Sequence, residues 1–359
     1  MRILLGQLFK VFLRPKSLAL SAFFPAAAIC ILSACVRSTD TPKLTEQMTG
    51  IQNSLNRLYA YAWDPKAFSD SENDKTIGDL LAHFEDQFHT VQHISKTQIT
   101  EPGFSASLES QLRMISDIRG RFQKNEKEYA RKRLTHITAN CIACHSRYGG
   151  PENIFGHFPP SIPSSLEASR AEAEYLFATR QYTKASEALY GCAKRSAGGS
   201  FYDGLNALKL WLVIKVRVED DPVRAAAGLT QLQEEAYFSA RDQALIEDWK
   251  RGLQKIIEVK SAQARTLDRA KQLLGRHIES RNEMEDEKAL PQTLYASQLL
   301  HKRLSISIPP NESREASYLL ALSYLHMPIE QFDTLREEYA AQVARQFPGS
   351  IEAQKISKL

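Results

Sequence analysis

Residues 130–151 of the chain read ARKRLTHITANCIACHSRYGGP, and this stretch decides the fold prediction. Its apolar positions recur in steps of four and three residues until two glycines and a proline end the pattern. The positions on this stripe are Ala130, Leu134, Ile137, Cys141, Cys144 and Tyr148. The spacing predicts one amphipathic helix that carries both cysteines on the face turned toward a core.

The pentapeptide CIACH at 141–145 has the CxxCH pattern of c-type haem attachment. Thiols three positions apart lie about one helical turn apart, so Cys141 and Cys144 can both bond vinyl groups on one porphyrin edge. His145 then lies beneath the iron as the proximal ligand. We therefore expect a single covalent haem c on these three residues.

A CxxC pair also occurs in zinc sites and in thioredoxin-like redox centres. Zinc would need a second ligand pair, and the sequence offers no other CxxC, CxxH or HxxxH cluster in a suitable context. A thioredoxin-like pair follows a strand and opens a helix, whereas this motif closes one. Haem attachment is therefore the favoured interpretation.

Three further amphipathic segments precede the motif, so residues 42–150 are predicted to form a four-helix bundle. Pro65 and the polar run at 69–74 separate the first segment from the second, and Pro102 precedes the third. The three apolar stripes are Leu44, Met48, Ile51, Leu55 and Leu58; Ile77, Leu80, Leu81, Phe84, Phe88 and Val91; and Phe104, Leu108, Leu112, Ile115, Ile118 and Phe122.

This arrangement resembles the class II c-type cytochromes, the cytochrome c-prime family, in which the haem motif lies near the end of the fourth helix. The resemblance rests on Cys141, Cys144, His145 and Tyr148 together with the helix order, and it covers about a third of the chain. It implies a haem held in the core of the bundle, with the distal face supplied by the first helix.

Two residues are candidates for completing the haem site. Met48 lies on the stripe of the first helix and is either the sixth iron ligand or ordinary core packing. Arg147, beside the proximal histidine, is either a haem-propionate contact or a solvated surface residue. His83, His89, His93 and His136 lie off the apolar stripes and are predicted to face water or a flank. The basic segment 119–133 is predicted to be a solvated helix end.

The N-terminus is predicted to be an export signal, since Arg2, Lys10, Arg14 and Lys16 precede an apolar run at 17–34. The sequence LSAC at 32–35 resembles a bacterial lipobox, which implies a signal peptide over 1–34, lipidation of Cys35 and a tether over 35–41. Without those four cations, the 46 basic residues fall to 42 and equal the 42 acidic residues. Nucleic acid is therefore not an expected partner. The expected location is the cell envelope, anchored by lipid and facing the periplasm, with the outer membrane favoured over the inner one.

The second half of the chain, 166–359, follows a proline-containing linker over 151–165. Its first unit, with Ala173, Leu176, Tyr182, Ala185 and Leu189, resembles the tetratricopeptide repeat (TPR). The resemblance implies an α-solenoid of TPR-like helix pairs that binds a redox or assembly protein partner. Cys192 then occupies a small-residue packing position.

These features predict an all-α protein in which a four-helix haem bundle precedes a TPR-like array. Single-electron transfer is the leading functional hypothesis. The alternatives are a small-gas (NO or CO) binding or sensing protein with an open distal face, and a haem-containing assembly scaffold. Peroxidase-type catalysis lacks a distal His or Arg that can be assigned, so a carrier is expected rather than an enzyme.

Overall fold

Helices make up every regular element in the part of the chain that the computed structural model describes, which is residues 41–95, 102–148, 152, 166–196, 201–236, 238–275, 278 and 282–358. The all-α prediction is confirmed. The predicted signal peptide, Cys35 and nearly all of the tether and linker lie outside these residues. Within them, no helix is both long enough and apolar enough to cross a bilayer.

Among the described residues up to 148, six α-helices occur, with a short 3-10 turn at Ser71–Asn73. They are α1 (Thr41–Ala62), α2 (Pro65–Ser69), α3 (Asp74–Ser95), α4 (Pro102–Gln123), α5 (Lys127–Thr135) and α6 (Ala139–Tyr148). The stripes predicted for α1, α3 and α4 meet in one apolar core. All residues of these stripes are buried there except Leu44 and Met48, which are partly exposed. The helical period of the apolar residues therefore predicted these three helices correctly.

The long helix predicted over the quoted stretch is wrong, because the structure divides it into α5 and α6. Between them, the amide of His136 bonds the carbonyl of Arg133 at 3.2 Å, and that of Ile137 bonds Leu134 at 3.2 Å. These are the tight i to i+3 bonds of a turn. The break falls in the sequence THIT at 135–138, whose three β-branched residues favour helix weakly.

Eleven α-helices follow among the residues described from 166 onward. They are α7 (Leu166–Ala178), α8 (Tyr182–Ser196), α9 (Phe201–Val213), α10 (Pro222–Glu235), α11 (Ala240–Ser261), α12 (Thr266–Leu274), α13 (Glu283–Lys288), α14 (Leu290–Leu304), α15 (Pro310–Leu325), α16 (Asp333–Gln346) and α17 (Ile351–Ile356). A π-helical turn at Ile214–Val218 continues α9, and a 3-10 turn at Glu330–Phe332 precedes α16. Neighbouring helices such as α7 and α8, α8 and α9, and α10 and α11 pack against each other.

The second set of helices has its own apolar core, and that core begins inside α6 with Ile142 and Ala143. Helix α16 packs on α4, and the 3-10 turn before it packs on α6. The hydroxyls of Ser110 and Thr334 hydrogen-bond at 3.2 Å across this contact. Helix α6 therefore lies between the two cores and touches both. The domain boundary at 151–165 stays a prediction.

Candidate haem-attachment site

Helix α6 presents the CxxCH residues on one face. At about 100° per residue, the side chains of Cys141, Cys144 and His145 fall within an arc of about 100°, and all three are half-buried. The opposite face is closed, since Ile142 and Ala143 are 0% and 1% exposed. Both thiols are turned toward apolar cores, as the stripe predicts, but they lie on a half-open face of a helix that begins after the break.

The thiols on this face lie where the two cores meet. Neither Cys141 nor Cys144 forms a disulfide. Cys141 packs against the core of the second half, and Cys144 packs against the core of the bundle. Burial, and to a lesser extent the neighbouring Cys144, raises the pKa of Cys141 to about 12. Both sulfurs thus lie one turn apart on one helix face, in the spacing that attachment to two vinyl groups needs.

The imidazole of His145 is oriented by a residue from the second half of the chain. Its Nδ1 lies 2.6 Å from the carbonyl oxygen of Ala178, the last residue of α7. A carbonyl oxygen only accepts, so Nδ1 carries the proton and Nε2 keeps its lone pair. Histidines that bind a metal generally donate their other N–H in this way. His145 is therefore poised to bind iron through Nε2.

The surroundings also keep this imidazole neutral. Burial lowers the pKa of His145 to about 3, and the positive charge of Arg180 lowers it in the same direction. The hydrogen bond to Ala178 opposes these effects without cancelling them. A neutral imidazole is the form that binds a metal. The donor set on α6 therefore fits a c-type haem.

Tyrosine side chains from other helices lie near this face, and the CxxCH pattern does not predict them. The rings of Tyr59 on α1 and Tyr175 on α7 lie 5.5 Å apart, tilted by 44°. The hydroxyl of Tyr175 donates to the side-chain oxygen of Asn56 on α1. Tyr182, at the start of α8, donates to the backbone carbonyl of His145 at 3.4 Å. Helices α1, α7 and α8 thus supply aromatic side chains around the CxxCH face.

Met48 is the predicted distal ligand on α1. The hydroxyl of Tyr59 donates to the carbonyl of Thr135 at 3.3 Å, which ties α1 to the start of the α5–α6 turn. Met48 precedes Tyr59 by eleven residues, about 16 Å along α1. Met48 is half-buried and packs on the same core as Cys144. Its role as distal ligand stays a prediction.

Arg147 is engaged by protein acceptors in this structure. Its Nη1 donates to the hydroxyl of Tyr339 on α16 at 2.9 Å, and its Nη2 donates to the carbonyl of Gly103 at 2.9 Å and to Ser107 at 3.1 Å. A Cβ at Gly103 would clash with the guanidinium, so this close approach needs glycine. Arg147 ties α6 to α4 and α16, and the propionate contact stays a prediction for it.

The turn between α7 and α8 brings a second arginine to the site. Arg180 lies in the left-handed region, with φ of 62°. Its Nε is buried and has no acceptor among the described residues. Its charge reaches His145, as the lowered pKa of that imidazole reflects. The CxxCH pattern gives no indication of Arg180, because this residue lies outside the predicted haem domain, 42–150.

The other histidines of the bundle agree with their predicted positions. His83, His89, His93 and His136 are all exposed to solvent. Across the described ranges, no group of three or more His, Cys, Asp or Glu side chains is arranged to hold a metal ion. Cys192 is 1% exposed within the second core. The CxxCH face is thus the candidate site that the structure offers for a cofactor.

Comparison with known protein families, curated proteins and solved structures finds no match to this chain.

Proposed function

We propose that the chain is a monohaem c-type cytochrome, with haem c bonded to Cys141 and Cys144 and its iron bound by Nε2 of His145. One observation carries the proposal. The Nδ1 proton of His145 is committed to the carbonyl of Ala178 at 2.6 Å, while both thiols stand on the same half-open face of α6. A histidine that served only as packing would not need its second nitrogen kept free beside two thiols.

A bound haem supplies reversible one-electron chemistry. The chain's own residues then bind the haem, orient its histidine ligand and limit the access of water. Cys141 and Cys144 fix one edge of the cofactor, and the carbonyl of Ala178 sets the ring orientation of His145. Tyr59 and Tyr175 lie beside the thiol face and reduce the access of water. Electron transfer needs no catalytic acid or base, in keeping with a carrier rather than an enzyme.

The proposed function also assigns a role to each predicted domain of the chain. Residues 42–150 act as a four-helix haem bundle of the cytochrome c-prime type, and the helical pairs from 166 onward act as a TPR-like array that docks a redox partner. Lipidation at Cys35 holds the protein to the cell envelope on its periplasmic side. The packing of the 3-10 turn at 330–332 on α6, together with that of α16 on α4, supports a fixed relation between the haem helix and the array.

Covalent haem is tested on the full-length protein expressed with a cytochrome c maturation system. Wild-type protein should retain haem through a denaturing gel and give one haem per chain in a pyridine haemochrome assay. The double variant Cys141→Ser, Cys144→Ser should lose covalent haem, whereas the control Cys192→Ala should keep it. An anaerobic titration should then show one reversible one-electron couple. Wild-type protein without covalent haem would refute the proposal.

Small-gas binding is the second candidate, because Met48 is only half-buried and its thioether is not locked in the core. Gas binding needs a distal coordination position that no side chain occupies. The two functions share Cys141, Cys144 and His145 and differ at this one residue.

A further inference from the structure

The turn that follows α7 has a backbone form for which arginine is a poor choice. The amide of Gln181 bonds the carbonyl of Leu176 at 2.8 Å, and the amide of Arg180 bonds that of Phe177 at 3.0 Å. This pair of bonds defines a Schellman turn, whose left-handed position is usually glycine. Arg180 holds that position here at φ 62°.

Two other helix ends in the described part of the chain have the residues usually found at positive φ. Helix α12 is followed by Gly275 at φ 56°, and the turn after α4 uses Asn125 at φ 63°. In the left-handed region, most residues that carry a Cβ cost about 1–2 kcal/mol. Glycine has no Cβ and avoids this cost, and asparagine tolerates the region better than most residues. A strained residue of this kind points to a use for its side chain.

The turn that holds Arg180 contacts the proposed iron ligand. It presents the Ala178 carbonyl to Nδ1 of His145 at 2.6 Å. Two residues further on, the Nε of Arg180 is buried without an acceptor among the described residues. The nearby carboxylate of Glu152 is used elsewhere, since it accepts from the amide and hydroxyl of Thr183 at 2.7 and 3.0 Å. A guanidinium partly removed from water needs an anionic or neutral acceptor.

We propose that Arg180 binds a haem propionate, so that the turn between α7 and α8 completes a haem site whose attachment residues lie in the first half of the chain. The inference rests on the proposed function. Guanidinium and carboxylate form strong charge-assisted hydrogen bonds, often in pairs. The guanidinium of Arg147, the other predicted propionate contact, is bonded in this structure to Gly103, Ser107 and Tyr339.

A fixed positive charge at this position favours the reduced haem, which carries one positive charge fewer. Loss of the charge should therefore lower the reduction potential. The strained backbone gives the test a second, opposite readout. Asparagine and glycine both suit the left-handed region, so Arg180→Asn and Arg180→Gly should keep or raise the free energy of unfolding.

The experiment measures the reduction potential and the unfolding of haem-loaded, full-length protein. Arg180→Asn and Arg180→Gly should lower the ratio of reduced to oxidised protein about tenfold at a fixed applied potential. Arg180→Lys, and the control Arg265→Asn at the exposed start of α12, should stay within about threefold of wild type. The propionate bending band in resonance Raman spectra should shift in the two neutral variants alone.

Two results would overturn the inference. One is an unchanged potential and Raman band in Arg180→Asn and Arg180→Gly, which would leave Arg180 with a structural role only. The other is an equal loss in Arg180→Lys, which would point to side-chain shape instead of charge. Both differ from a failure of the proposed function, which would appear as wild-type protein without covalent haem.

Discussion

Nδ1 of His145 and the carbonyl oxygen of Ala178 are 2.6 Å apart, although the two residues are separated by 33 positions in the chain. The last four carbonyls of a helix have no partner within the helix, and Ala178 is the final residue of α7. The amides of Thr179, Arg180 and Gln181 bond to Tyr175, Phe177 and Leu176 instead. The Ala178 carbonyl is thus left to accept from the histidine.

Thr179→Val tests how far this turn supports the site. The hydroxyl of Thr179 is buried, donates to the carbonyl of Tyr175 at 2.9 Å, and accepts from the side chain of Gln181 at 2.9 Å. Valine leaves the buried Gln181 amide without this partner, so the free energy of unfolding should fall by about 1–3 kcal/mol. Urea denaturation measures the loss.

The matched control for this variant is Thr230→Val on α10. Its hydroxyl also bonds a carbonyl one turn back, at 3.2 Å, but it is exposed. The control should change the free energy of unfolding by no more than about 0.5 kcal/mol. The absorption spectrum of haem-loaded protein should change in Thr179→Val and not in the control. Equal effects in the two variants would contradict a special role for the turn.

Tyr339→Phe tests the contact that holds α6 against α16. The ring of Tyr339 stacks on Tyr324 at 4.8 Å, and its hydroxyl accepts from Arg147. Phenylalanine keeps the stacking and removes the acceptor, so the free energy of unfolding should fall by about 1–3 kcal/mol. The control Tyr129→Phe removes a hydroxyl of a 44% exposed ring and should cost under about 0.5 kcal/mol. A neutral Tyr339→Phe would mean that water replaces the hydroxyl without cost.

Glu174 on α7 gives a prediction for the dependence of stability on pH. It is 5% exposed, and burial raises its pKa to about 7, although Arg170 acts in the opposite direction. A carboxyl with a raised pKa binds more protons in the folded state than in the unfolded state between pH 4.5 and 7. Its contribution is therefore present at low pH and is lost as the pH rises through this window.

Glu174→Gln isolates that contribution. The difference in unfolding free energy, variant minus wild type, should rise between pH 4.5 and 7 and be flat above. The steepest slope should be about 1.4 kcal/mol per pH unit, which is the value for one proton. The exposed Glu337→Gln on α16 serves as control and should give a flat difference. A flat difference for Glu174→Gln as well would show that Glu174 titrates normally.

How much the sequence could predict depended on whether the deciding interaction was local. The stripes of α1, α3 and α4 were predictable because the helical period alone places Leu58, Ile77 and Ile115 in the core. The CxxCH chemistry was predictable because its parts are adjacent in the chain. The break at 136–138 was missed because the apolar spacing continues unchanged through it.

The rest of the site could not be predicted, because it depends on contacts that no residue pattern in the sequence indicates. The partner of His145 is a backbone carbonyl, which every residue possesses, so no residue type reveals Ala178. Arg147 meets Tyr339 across 192 positions, and nothing in the local pattern distinguishes it from a solvated arginine. Arg180 stands out only once its backbone angle and its buried Nε are known.

Met48→Ala decides between electron transfer and gas binding. If the thioether binds iron, wild-type protein should give a six-coordinate, low-spin spectrum that CO leaves unchanged, and the variant should become high-spin and bind CO. Met114→Ala is the matched control, because Met114 is another half-buried methionine packed on the same core, from α4. It should leave the spectrum as in wild type, since a packing methionine affects stability and not ligation. A high-spin, CO-binding wild-type protein would exclude Met48 as ligand and favour gas binding, because the distal face would then be open in the native protein.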